Sequence, residues 1–158
     1  MNRIFLTFCV LLALHVGIQA QNPLDSLMEI GSYSDVITLA TQNLEKDSSE
    51  VLSKQYLAKA AFLGNRLTLA KKYALDLEKL GVDTIKQRQN LMRIFEAEQN
   101  YPLAVKYAQK LQQYFPAQGY YTRKMAEYHL ASGYPVEALK LYYQAYLIEP
   151  EDINNVTS

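Results

Sequence analysis

The chain reads as all-α, a stack of antiparallel helix pairs, on three observations. Alanine recurs with a 34-residue period at Ala70, Ala104 and Ala138, helix breakers recur in phase with it, and no run shows the two-residue alternation of a half-buried strand. The same 34-residue shift aligns Leu57, Leu91 and Met125; Ala61, Phe95 and His129; Leu77, Leu111 and Ala145; and Pro116 with Pro150. Several columns in one phase define a repeat, because each unit buries its apolar face only against its neighbours. The small residues let helix backbones approach, and the larger residues three and four positions away fill the space beside them.

The elements follow in order. Met1-Asn2-Arg3 leads into an apolar stretch from Ile4 to Ile18 and then Gln19-Ala20-Gln21, the build of a secretory signal peptide over 1–20 cleaved after Ala20. An uncleaved anchor is the competing reading, but the stretch is short of the roughly 20 apolar residues that span a bilayer. Cys9 lies in mid-stretch, badly placed for lipidation, and its removal leaves the mature chain without cysteine. Residues 21–158 then form one elongated repeat domain: a partial unit at 23–50, full units at 51–84, 85–118 and 119–152, and the start of a further helix at 153–158. The first unit is visible in Gly31 to Ile37, which stands one 34-residue period before Asn65 to Lys71.

Gly64-Asn65, Gln99-Asn100 and Ser132-Gly133 separate first from second helices, while Gly81, Pro116 and Pro150 stop the second ones. Pro102 and Pro135 fall in the first turn of a helix, where a missing N–H costs little. Ser48-Ser49 reads as a helix start, and Thr84 with Gln87 as a capping box. The last second helix is expected to bare the side carrying Ala138, Leu141, Tyr142 and Ala145. That calls for a longer repeat protein, or for association with another subunit through this end. Asn155-Val156-Thr157 matches a glycosylation sequon, a weak three-residue signal.

These columns resemble the tetratricopeptide repeat family, whose pattern is a large then a small residue in a first helix, a small residue opening a second, an aromatic, another small residue and a closing proline. Residues 119–152 carry it best, with Met125, Ala126, His129, Ala138, Tyr142, Ala145 and Pro150. The unit before has Met92 and Ala108 where the family prefers small and aromatic residues, the unit before that has Val82 for the proline, and no unit has the family's tryptophan. The resemblance implies a right-handed α-solenoid that binds proteins or peptides on a concave face lined by its first helices.

Composition narrows the function. The whole chain has 16 basic and 16 acidic side chains, and loss of residues 1–20 removes only Arg3 among them, so nothing draws it to nucleic acid or to an anionic membrane surface. No Cys/His cluster, phosphate-cradling glycine loop or nucleophile with its base is present, so no cofactor, metal or catalytic residue is expected. His129 stands in a packing column and reads as a core or groove-edge residue. Glu96 and Glu98, like Asp76 and Glu78, lie two apart on helices and read as solvated surface.

Carried over position by position, the family's concave face selects Leu52, Gln55, Tyr56, Lys59 and Phe62. It continues through Lys86, Gln89, Asn90, Arg93 and Glu96 to Tyr120, Arg123, Lys124, Glu127 and Leu130. The candidate groove is Tyr56, Lys59, Gln89, Asn90, Arg93, Tyr120, Arg123, Lys124 and Glu127. Lys59, Arg93, Arg123 and Lys124 act there as donors for an acidic or carboxylate-ended peptide, with Tyr56 and Tyr120 as flat walls. The competing reading is a solvated mixed face, since Glu96 and Glu127 share the surface. Of 13 tyrosines, ten lie from Tyr101 onward; Tyr107, Tyr114, Tyr142 and Tyr146 are expected mainly to pack between helices, the competing reading being a contact patch at the carboxyl end. The expected role is a non-catalytic adaptor in an exported compartment, periplasmic or extracellular, with a bacterial envelope favoured. The alternative is a sensor or accessory domain of a larger protein.

Overall fold

A computed structural model of the chain describes residues 22–150. The expected signal peptide at 1–20, with Cys9, and the expected helix start at 153–158 lie outside the described residues. Among the described residues there are eight helices and no strand: α1 Pro23–Glu29, α2 Tyr33–Lys46, α3 Val51–Leu63, α4 Leu67–Lys79, α5 Ile85–Ala97, α6 Tyr101–Tyr114, α7 Tyr120–Ala131 and α8 Pro135–Ile148. They form four hairpins, with odd-numbered first helices and even-numbered second helices.

One backbone device makes every hairpin. Gly31, Asn65, Gln99 and Gly133, spaced at the same 34-residue period, adopt the left-handed conformation with φ of 74°, 57°, 56° and 81°. In each case the next residue donates its N–H to a carbonyl five residues back, at 2.9, 2.7, 2.8 and 2.9 Å. That closure satisfies carbonyls orphaned at the end of the first helix and reverses the chain. Gly81 (φ 78°) makes the corresponding stop after α4, with Val82 N–H bonded to the Leu77 carbonyl at 2.9 Å.

Helix starts agree with the sequence in part. Pro102 and Pro135 fall in the first turns of α6 and α8. Sequence pattern shows only the second helix of the first unit, yet Asn22 caps a seven-residue α1 that buries Leu24. Thr84 caps α5 through the Gln87 N–H at 3.2 Å, but the Gln87 amide turns to the Ala74 carbonyl at 2.5 Å, so only half of the expected capping box forms. Ser48-Ser49 is not the helix start: Ser49 bonds back to Asp47 in a turn, and Glu50 precedes the first residue of α3. A competing Asx-type turn satisfies those hydroxyl and amide groups before the helix begins.

The aligned columns are the core. Ala70, Ala104 and Ala138 are buried, as are Leu57, Leu91 and Met125, and Leu77, Leu111 and Ala145. Each large member stabilises by roughly 1.5–3 kcal/mol on burial. Gly119 serves a close approach of another kind, because a Cβ there would lie 2.9 Å from the Ala145 carbonyl oxygen at the far end of α8. Consecutive helices pack against one another throughout, but α4 and α5 touch at the fewest positions. The apolar core divides near that point. One cluster runs from Leu24 through Ala70 and takes in Ile94, and the other runs from Ala74 and Leu91 through Tyr128.

The end face differs from expectation in its residues. Ala138 and Ala145 are buried, whereas Val136, Leu139, Tyr143 and Leu147 are exposed, Leu139 by 70% and Tyr143 by 62%. Tyr142 and Tyr146 are also exposed, as is Tyr114, whose ring lies under Arg88 of α5 at 4.8 Å, so the expected packing role holds for Tyr107 and in part for Tyr114. With no further helix beside α8 among the described residues, large side chains there have nothing to pack against.

Candidate functional site

First helices lie beside first helices, as their side chains record. Tyr56 on α3 donates to Asp25 on α1, Gln89 on α5 donates to Tyr121 on α7 at 2.8 Å, and Lys124 on α7 pairs with Glu96 on α5 at 3.1 Å. Tyr56, Lys59, Gln89, Asn90, Arg93, Tyr120, Arg123, Lys124 and Glu127 thus fall on three neighbouring first helices, α3, α5 and α7.

The expected row of donors divides in two. Lys124 is held between Glu96 and Glu127 (2.8 Å), and Arg123 bonds Glu149 at 3.2 Å. Burial pulls the Lys124 ammonium down, but its two carboxylate partners outweigh that and raise it overall. These two cations are engaged within the chain, and that corrects their role as open donors. Lys59, Lys86 and Arg93 make no ion pair with any described residue, and all three are exposed. Glu127 is the counter-charge of Lys124, so the C-terminal part of the face is a neutralised mixed surface and the N-terminal part is basic. The flat walls differ too. Tyr120 is exposed and stands edge-on to Tyr121 at 5.0 Å, while burial and the Asp25 carboxylate push the Tyr56 hydroxyl up to about 12.

The carboxylates expected to be merely solvated are partnered. Glu98 pairs with Lys71 at 2.6 Å, and Glu78 accepts from Tyr107 at 2.6 Å and from Lys110. Side chains of neighbouring units, close in space and far apart in sequence, supply these partners. His129 is half-buried and edge-on to Tyr134 at 6.2 Å, a packing arrangement.

Between α3 and α5, floored by α4, lies a cavity of about 220 Å³. Ala58, Ala70, Ala74, Leu77 and Ile94 line its apolar part, and Gln55, Lys59, Lys86 and Asn90 contribute polar groups. Asn90 Oδ1 is buried and has no hydrogen-bond partner among the described residues. A buried acceptor left unpaired costs about 1–3 kcal/mol, and most buried polar atoms in folded proteins are paired. Among the described residues no group of three metal-binding side chains occurs, and no helix is long and apolar enough to cross a membrane.

The fold is shared with a solved structure, that of the MamA protein, with a TM-score of 0.64 at 16% sequence identity over 83% of this chain and 72% of that one. At this identity the likeness is one of fold: a tetratricopeptide-like α-solenoid. No family model matches the chain, and no curated protein matches it.

Proposed function

We propose that this chain is a non-catalytic scaffold that holds a protein or peptide segment against the face of α3 and α5. It acts in an exported compartment, the periplasm or cell exterior, after removal of residues 1–20. One observation carries the reading: Lys59 and Lys86 line a cavity between first helices, and they and Arg93 on α5 stand exposed without ion-pair partners among the described residues. Unpaired cations on a rigid surface favour an acidic segment, through charge-assisted hydrogen bonds and through steering. The solenoid fold supports a protein partner in general, because stacked repeats offer an extended surface. The balanced charge argues against nucleic acid.

Arg93→Glu, which changes charge at an exposed position, tests the reading. Capture of the partner from extract of the source organism should fall at least about tenfold with no change in melting temperature. Undiminished capture by this variant and by Lys59→Glu would remove the acidic-segment reading. The exposed apolar side of α8 is a separate surface, and its occupancy by a second protein would be seen as protection of Leu139 and Tyr143 from labelling.

A further inference from the structure

The 34-residue repeat lets one seam of the molecule show what its neighbour lacks. Where α5, α6 and α7 meet, Met92, Tyr121 and Tyr128 are buried in one apolar cluster, and Gln89 donates to the Tyr121 hydroxyl at 2.8 Å. One repeat earlier, the positions of Met92, Tyr121 and Tyr128 hold Ala58, Gln87 and Ile94, and Gln55 stands where Gln89 does. The smaller residues leave the 220 Å³ cavity, and Gln55 makes no hydrogen bond with a described residue. The cavity is below the roughly 300–1,000 Å³ of sites for drug-sized molecules and suits a single side chain.

We infer that the cavity between α3 and α5 receives a tyrosine side chain of the partner, within an acidic stretch of its sequence. The inference rests on the scaffold reading above and specifies its ligand. The ring takes the apolar volume beside Ala58, Ala74 and Ile94; one repeat on, the position of Ile94 holds the buried ring of Tyr128. A phenol both donates and accepts, so its hydroxyl donates to the orphaned Asn90 Oδ1 and accepts from Gln55. Phenylalanine would leave Asn90 unpaired, and serine or threonine would leave the cavity mostly empty. Lys59 and Lys86 at the mouth select carboxylates on the flanking residues and repel a basic segment.

The test is a fluorescence-polarisation titration with three dye-labelled peptides, acetyl-Asp-Glu-Xaa-Asp-Glu-amide with Xaa tyrosine, phenylalanine or alanine. The tyrosine peptide should bind tightest, the phenylalanine peptide about tenfold more weakly, and the alanine peptide weaker still. Ala58→Met, which copies the filled seam, should weaken the tyrosine peptide at least about tenfold and abolish the preference for tyrosine, with a melting temperature at or above that of the parent. Should that variant not fold, the peptide series on the parent protein decides alone. Equal binding of tyrosine and alanine peptides, or a folded Ala58→Met protein that binds as the parent does, overturns the inference, as does absence of binding by all three. The scaffold reading is judged separately, by the effect of Arg93→Glu on capture of the natural partner. Its survival beside a failed peptide series would show that the groove works without a tyrosine anchor.

Discussion

The seam between α5 and α7 and the seam between α3 and α5 share one backbone plan and are finished differently. Around the first, rings of both helices stack on α6 and the residue after it: Phe95 on Tyr107, Tyr128 on Tyr101 and Tyr121 on Phe115, with centroids 5.6–6.0 Å apart. In the second, smaller side chains leave a cavity, and polar staples tie α4 and the loop after it to α5 and α6. Asp83 pairs with Arg88 at 2.6 Å, Lys71 with Glu98 at 2.6 Å, and Glu78 with Tyr107 and Lys110. The alanine columns and left-handed turns recur from repeat to repeat, while the side chains at the seam positions differ, and a cavity lies at the seam with the smaller ones. In a solenoid this separation is possible because each unit meets only its neighbours.

Emptying the closed seam should produce the largest effect. Tyr128→Ala removes a buried ring stacked on Tyr101 and is expected to cost about 3–5 kcal/mol in chemical denaturation. A loss below about 1 kcal/mol would mean that the seam is less tightly packed than its burial implies. Removing a staple should come next. Glu78→Ala strands the Tyr107 hydroxyl and leaves the Lys110 ammonium only the longer contact to Asp83 at 3.9 Å, for a loss of about 1–3 kcal/mol by the same measurement.

The staples also predict a response to acid. Burial pushes the Glu78 carboxyl up, but hydrogen bonds from Lys110 and Tyr107 and the Lys110 charge outweigh it, so the group titrates below its ordinary 4.5. The Arg88 hydrogen bond holds Asp83 below its ordinary 3.8 against a smaller opposing effect of burial. Depressed carboxyl values add stability that is complete above the unfolded-state value and lost as pH falls through the folded one. The melting temperature should therefore drop as pH goes from about 4.5 downward. Hydrogen exchange should quicken in α4 and α5 before α7, and Glu78→Gln should flatten the profile. An acid response equal in all helices would deny the staples a special role. The smallest effect is expected at Lys79, whose exposed pair with Asp76 should change stability by no more than about 0.5 kcal/mol in Lys79→Ala, read as a melting shift near the limit of detection.

How much of this was legible in the sequence depends on the range of each interaction. The hairpins were legible because one turn conformation and one alanine contact, repeated with the 34-residue period, leave a regular trace. The short α1 was not, since seven residues carry too little period to stand out. The groove residues fell on neighbouring first helices, but their charge state escaped spacing arguments. Lys124 has a local partner in Glu127, three residues on, but its second partner, Glu96, is 28 residues away, and Arg123 bonds Glu149, 26 residues away. The cavity left a trace that a search for sameness overlooks: Ala58 against Met92 and Gln87 against Tyr121 are departures from the repeat. Conformity marks the stacking here, and departure marks the cavity.

The most direct test of the central claim, that the partner lies against the first helices, is photocrosslinking from two positions in intact protein. Benzoylphenylalanine at Arg93, exposed on α5, is compared with the same group at Lys106, exposed on the second helix α6. Adducts with the natural partner should form from position 93 and not from 106. Adducts that form equally from both, or from 106 alone, would contradict a binding face built by first helices.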